Sequence, residues 1–319
     1  MISAPDFREK QLLFIQSERE AENRIKFNND NIVFLKNNEV VNQLSCHKIL
    51  AVFIAGDISI TNVLIDKCIK YGVSLFLLKN NLALSAAVVA EAEGNYLLRG
   101  KQYNMTEKYE LSLAKSIVKN KTSNQIALLR LGKKGDKNLE ETEKETAVKV
   151  KRANGCQELL GIEGNATKNF FQIYFKDIGW RRRMPRTKFD PYNVLLDIGY
   201  TFLFNYIDAL LRLHGFDTYK GFYHKLFFQR KSLTCDIIEP FRCIIDRQLL
   251  KSFNLKQINE KDFKIISGRY VLQYEKSQKY AEIFLGAIMD FKEEIFAYIK
   301  DFYRCIMNEK ENYPVFNIK

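Results

Sequence analysis

The sequence predicts an α+β protein, with a small N-terminal β domain (residues 1–90) followed by a larger all-α domain (residues 91–319). Two observations lead there. Short runs rich in β-branched and aromatic residues fill roughly the first 80 positions, and near residue 95 the apolar period becomes helical and stays so. With 319 residues and 46% hydrophobic content, the chain can bury a sizeable core in both parts.

In the N-terminal part, Ile32–Leu35, Leu50–Ile54, Ile58–Ile60 and Val73–Leu78 read as strands between Asn, Asp and Gly punctuation. Thr61–Tyr71 reads as a helix, because Val63, Leu64, Cys68 and Ile69 recur at helical spacing and Gly72 stops the run. Another short strand is expected after the Asn80-Asn81 turn. Glu107–Leu131 is one amphipathic helix, its stripe formed by Leu111, Ala114, Ile117, Val118 and Ile126. A mixed-charge stretch from Lys133 to Glu145 follows as solvated helix or loop. Residues 156–176, 192–213, 232–250 and 280–305 read as further helices, and Trp180–Lys188, with Arg181, Arg182, Arg183, Arg186 and Lys188, has no period.

No segment is expected to cross a membrane, since the longest apolar runs are strand-sized. Asp6, Arg8 and Glu9 stand where an export signal needs apolar residues, and six scattered cysteines show no CxxC pair. Reduced thiols and a cytoplasmic location are expected. The net charge of +12 favours a polyanionic partner, because neutralising phosphates releases condensed counterions.

Histidine is scarce: His47, His214 and His224. His47 has no acidic neighbour at useful spacing, and His214 ends an apolar helix, where a cation suits the dipole. His224 closes the turn GFDTYKGFYH (Gly215–His224), and SLTCDIIEPFRCIIDR (Ser232–Arg247) follows shortly after. There Asp236 and Glu239 project from one helical face. Two half-buried carboxylates repel, so one stays protonated unless a cation compensates; Arg242 and a metal ion are both candidates, against the alternative of a solvated acidic face. Pro240 lacks the N–H that would bond the Asp236 carbonyl, so the helix bends beside them. In GIEGNA (Gly161–Ala166), Glu163 stands between two glycines near the start of a predicted helix, where it either meets a bulky ligand or favours the helix dipole.

GIEGNA, NVLLDIGY (Asn193–Tyr200), GFDTYKGFYH and SLTCDIIEPFRCIIDR, in this order, resemble the integrase/endonuclease family of CRISPR adaptation, the Cas1 proteins. GDISIT (Gly56–Thr61) with the following helix and YGVSLFLL resembles the family's β core, and GNYLLRGKQY (Gly94–Tyr103) its junction into the helical domain. The resemblance runs from about Asp30 to Phe253.

It implies that Glu163, His224 and Glu239 bind one catalytic Mg²⁺ or Mn²⁺, with Asp236 close by as an outer-shell or alternate ligand. Many relatives carry aspartate at the last ligand, and a proline where this chain has Thr218. Two carboxylates and an imidazole suit those cations. The implied reaction inserts short spacer DNA into the CRISPR array: a 3′-OH attacks a target phosphodiester, conserving the number of phosphodiester bonds and needing no ATP. The implied partners are double-stranded DNA (spacer precursor and CRISPR repeat), a second copy of the chain paired through the β domain, and the small adaptation protein Cas2. Arg99, Lys101, Lys115, Lys119, Lys168, Arg181, Arg182, Arg183 and Arg242 are the candidate DNA contacts. A metal nuclease that only hydrolyses, or a non-catalytic DNA-binding subunit, are the alternatives.

Overall fold

The computed structural model describes residues 4–18, 20–90, 92, 95–134, 138–185, 187–224, 228–309 and 312–319. Gly94 and Arg186, which belong to two of the sequence motifs, lie outside the described residues. A short helix α1 (Ala4–Arg8) leads into β1 (Gln11–Gln16). Then come β2 (Asn23–Asn28), β3 (Asn31–Lys36), β4 (Glu39–Ser45), β5 (Ile49–Ala55), β6 (Ser59–Ile60), helix α2 (Asn62–Lys70), β7 (Ser74–Leu78) and β8 (Leu84–Val88). The expected strands and the helix are present; β1, β2 and β4 are additional. β2, β3 and β4 are joined by two-residue turns, Asn29-Asp30 and Asn37-Asn38, all four residues at positive φ. That geometry suits Asn and Asp and matches the strand twist.

Two four-stranded sheets result, in the orders β1-β5-β7-β8 and β4-β3-β2-β6. β5 is buried along its whole length because both faces are covered. Alternate residues enter different cores: Val52 and Ile54 pack with Leu64, Cys68, Ile25 and Ile32 toward α2 and the second sheet. Ala51, Phe53 and Ala55 belong to the larger core shared with the helices.

The helical part contains α3 (Tyr96–Tyr103), α4 (Glu107–Leu131), α5 (Leu139–Arg152), α6 (Cys156–Tyr174), α7 (Pro191–Leu213), α8 (Ser232–Ile237) and α9 (Arg242–Asn254). A hairpin of β9 (Phe263–Ile266) and β10 (Arg269–Leu272) precedes α10 (Ser277–Met289) and α11 (Lys292–Asn308). The expected helix over 232–250 is broken by a 3₁₀ turn at Glu239–Phe241, where Pro240 removes a donor. The 280–305 stretch forms two helices, α10 and α11, with a break at 290–291.

α7 is the centre of the helical core. It is longer and more apolar than the strand-sized runs expected, enough by length and hydropathy to cross a membrane, but 83% of its apolar window is buried inside the protein. Neighbouring helices approach it closely at Gly199, where a Cβ would come within 2.6 Å of Ile245 and 2.9 Å of Phe284. From β5, Phe53 meets Phe202 of α7 edge-on at 5.2 Å, tying the sheet to the helices. All six cysteines are free thiols.

Candidate active site

Four elements far apart in sequence bring one charged cluster together: α4, α6, the turn before the 225–227 stretch, and the α8–α9 break. On α6, Glu163 is the eighth residue of a nineteen-residue helix. It therefore lies in the helix interior and not near the N-terminus, so the dipole explanation for its charge falls away. Gly161 and Gly164 beside it face open space, since a Cβ at either would meet nothing within 4 Å.

The Glu163 carboxylate accepts hydrogen bonds from the Lys121 ammonium on one oxygen and the Tyr223 hydroxyl, at 3.1 Å, on the other. Lys121 Nζ also lies 2.7 Å from Glu239 Oε2, and Arg242 Nε reaches that same oxygen at 3.0 Å. Thus Glu163 and Glu239 converge on one buried cation. Burial alone would raise the Glu239 carboxyl, but Arg242 and Lys121 outweigh it and hold the group down at about 2. Burial likewise pulls the Lys121 ammonium down, and the two glutamates together reverse this and raise it.

Asp236 serves a different purpose from Glu239, although the two are three residues apart. Its Oδ2 accepts from the backbone N–H groups of Phe222 (2.8 Å) and Tyr223 (3.0 Å), and its Oδ1 from the N–H of His224 (2.9 Å). The same Oδ1 takes the His224 Nδ1–H at 2.7 Å. Gly221 permits this wrap: a Cβ there would sit 2.7 Å from Asp236 Oδ2. The fully buried carboxylate therefore builds the turn and fixes the imidazole so that Nε2 is the nitrogen left for a ligand.

Behind the glutamates, the Arg242 guanidinium stacks on Tyr200 at 4.7 Å, and the Tyr200 hydroxyl donates to Asp246. Burial pushes the Asp246 carboxyl up to about 7, against the lowering effects of the Tyr200 hydrogen bond and Arg242. Between the ordinary carboxylate range and about 7, the folded state then holds a proton that the unfolded chain releases, so stability falls as pH rises through that window. Asp246→Asn keeps an acceptor for Tyr200 and removes the titration. Its melting temperature is expected to gain on that of the natural chain between about pH 4 and about pH 8. Parallel melting curves over that range would contradict this assignment.

The remaining candidates are spread out. Lys119 and Lys168 are exposed on α4 and α6, and Arg181 and Arg182 are exposed in the irregular segment. Arg183 parts from them: it turns inward, pairs with Asp197 and bonds Asn193 at 2.9 Å. Lys115 donates to the Lys151 carbonyl, Lys101 pairs with Glu309, and Arg99 donates to the Gly215 carbonyl. A cavity of about 620 Å³ adjoins Arg242 and is lined also by Arg183, Lys188, Asp197 and Tyr200, so cations dominate its charge.

Lys121 and Tyr223 escaped the sequence analysis. Tyr223 directly precedes His224, and Lys121 continues the apolar stripe of Ala114, Ile117 and Val118; a lysine on that buried face was the available signal.

A divalent cation is implied by the resemblance, and the donor set can be tested for fit. Among the described residues, no three histidine, cysteine, aspartate or glutamate side chains already stand as a cluster ready for a metal. The contacts account for this, because Lys121 lies between the two glutamates and His224 is tied to Asp236. The donors fit nonetheless: two oxygen ligands already share one cation, and the neighbouring imidazole is fixed by its other nitrogen.

The family model for CRISPR associated protein Cas1 matches residues 18–285. A CRISPR-associated endonuclease Cas1 of Chlorobaculum tepidum is 31% identical over 265 residues, 74% of this chain and 75% of that protein. A Cas1 protein from Thermotoga maritima superposes with a TM-score of 0.81 at 20% identity, over 97% of this chain and 99% of that one. A casposase bound to an integration product gives 0.81 at 19% identity, over 95% and 92%. A Cas6-RT-Cas1–Cas2 complex gives 0.78 at 24% identity, covering 97% of this chain and 36% of that one. At these identities the structural matches establish the fold.

Proposed function

The chain belongs to the CRISPR-associated Cas1 family, and from that membership we propose that it is a metal-dependent DNA integrase of CRISPR adaptation. It joins the 3′-OH of a short DNA to a target phosphodiester by transesterification. The observation that carries this reading is the convergence of Glu163 and Glu239 on one buried cation, beside an imidazole oriented by Asp236.

Glu163, Glu239 and His224 Nε2 would hold Mg²⁺ or Mn²⁺. Bound there, the ion supplies a Lewis acid for the phosphoryl oxygen and lowers the pKa of the attacking hydroxyl. The chain's own residues set the electrostatics. Leaving the imidazole aside, Glu163, Glu239 and Asp236 against Lys121 and Arg242 leave one net negative charge. This negative charge would be offset when a dication is held there, as the approach of a phosphodiester requires. Arg242, which pairs with Glu239 and lines the cavity, would hold the strand end. Asp236 keeps Nδ1 protonated and Nε2 free.

Exposed Arg181, Arg182, Lys119 and Lys168 supply phosphate contacts in this account. The β4 edge strand, with Val40 58% and Val41 57% exposed, supports pairing of two copies through the N-terminal sheets, with Cas2 joining the assembly in the cytoplasm. Incubation with 3′-OH DNA, a repeat-containing target and Mn²⁺ tests the reading. Branched joined product supports an integrase, whereas cleavage alone supports a nuclease that only hydrolyses.

Two further results are expected. Asp236→Asn should raise the Mn²⁺ needed for joining by about 10–100-fold, because an amide cannot accept all four hydrogen bonds. Excess Mn²⁺ should restore much of the activity; failure to restore any would make Asp236 a direct ligand or the base for the attacking hydroxyl. Arg181→Gln with Arg182→Gln should reduce the slope of log affinity against log salt by about 0.9 for each duplex phosphate no longer neutralised. Arg183→Gln should lower thermal stability and leave the slope alone. A reversed pattern would place Arg183, and not its neighbours, on the DNA.

A further inference from the structure

Residues Tyr313–Lys319 lie beyond the 18–285 region matched by the family model, yet they run against the helix that carries Lys121. The contact is made mainly by two buried asparagines of α4. Asn120 bonds both backbone groups of Phe316: its Nδ2 donates to the carbonyl at 2.7 Å and its Oδ1 accepts from the N–H at 2.9 Å. Asn124 Nδ2 donates to the same carbonyl at 2.9 Å, and Asn124 Oδ1 accepts from the Ile318 N–H at 2.9 Å. Two side-chain amides thus act as a neighbouring strand would, recognising extended backbone regardless of its side chains.

Side-chain selectivity comes from alternation. Phe316 and Ile318 are buried, while Val315, Asn317 and Lys319 are exposed. The Phe316 ring lies 4.8 Å from Phe241 and 5.7 Å from Phe291. The groove therefore suits an extended segment with an aromatic residue and, two positions on, a branched aliphatic one.

The groove also touches the charged cluster. Asn124 Nδ2 donates to the Pro240 carbonyl at 3.1 Å, and Pro240 directly follows Glu239. Lys121 lies on α4 between the two asparagines and pairs with Glu239 at 2.7 Å. Withdrawing the segment would leave both amides short of partners and uncover Phe241, in the turn that holds Glu239.

We propose that the groove between α4 and the Glu239–Phe241 turn is a docking site for an extended peptide, filled by Tyr313–Lys319 of the same chain. Asn120, Asn124 and Phe316 are positioning residues: through docking they set Glu239 against Lys121. The catalytic consequence rests on the integrase reading; the docking itself does not.

The test pairs binding with metal dependence. A chain ending at Asn312 is titrated with a fluorescein-labelled peptide of residues 313–319, followed by anisotropy. Saturable binding is expected, weakened at least about tenfold when the peptide carries Phe316→Ala, since a buried aromatic truncation is worth more than 1.4 kcal/mol. In strand joining, the shortened chain should need at least about tenfold more Mn²⁺, and added peptide should restore the natural requirement. No saturable binding, or binding that leaves the Mn²⁺ requirement unmoved, would overturn the proposal.

If the shortened chain does not fold, the full chain decides. Phe316→Ala should raise the Mn²⁺ needed for half-maximal joining with DNA affinity unchanged, and Phe316→Leu should restore most of it. An unmoved requirement in Phe316→Ala would again overturn the proposal. If no form of the protein joins strands, the integrase reading has failed, while anisotropy still decides the docking.

Discussion

Glu163→Gln, His224→Ala and Glu239→Gln are each expected to lower strand joining by about a thousandfold or more, since metal-assisted charge stabilisation contributes several kcal/mol at the transition state. Their effects on folding should differ, and the contacts say how. His224→Ala removes a side chain held by one hydrogen bond to Asp236, so the fold should persist. Glu163→Gln keeps an acceptor for Lys121 and Tyr223. Glu239→Gln leaves Lys121 and Arg242 facing each other without the charge that both use, and should destabilise the protein most. Joining and thermal unfolding, measured on the same preparations, check both statements. Natural joining by any one variant would remove that residue from the site.

Lys121→Met is expected to destabilise the metal-free protein by about 3–5 kcal/mol, the usual effect of removing one partner from a buried ion pair. Lys121 and Glu239 are both almost fully buried, with side chains 7% and 5% exposed, so water cannot take over the role of the missing ammonium. The two glutamates would then repel, with only Arg242 to offset them. Mn²⁺ should therefore raise the melting temperature of Lys121→Met more than that of the natural chain, where the ion must displace an ammonium. Thermal unfolding in chelator and in Mn²⁺ measures this. Equal Mn²⁺ shifts in the two proteins would mean that Lys121 does not stand where the metal binds.

These expectations show what the sequence can and cannot carry. The strand runs around Val52 and Phe76 and the α4 stripe were legible because burial imposes a local period. β2 and β4 were harder, being polar strands whose pairing depends on positive-φ asparagine turns. Single motifs did not distinguish Glu163 from a dipole-stabilising residue; its place as the eighth residue of α6, which the sequence did not mark, removes the dipole reading. Lys121 stayed hidden because its partners, Glu163 and Glu239, lie on other elements, and no local pattern records such a meeting. The Asn120 and Asn124 contacts span more than 190 residues and are invisible for the same reason. Pro240 did announce a bend beside Asp236, and the structure makes it a full break that turns Glu239 and Asp236 to separate tasks.

Glu163, Glu239 and His224 are proposed to hold one cation. Anomalous diffraction from crystals equilibrated with Mn²⁺ tests this most directly. A single strong peak is expected, bounded by the Glu163 and Glu239 carboxylates and His224 Nε2, with Lys121 displaced from between the glutamates. A peak elsewhere, or no peak while Lys121 still bridges the two carboxylates at saturating Mn²⁺, would contradict it.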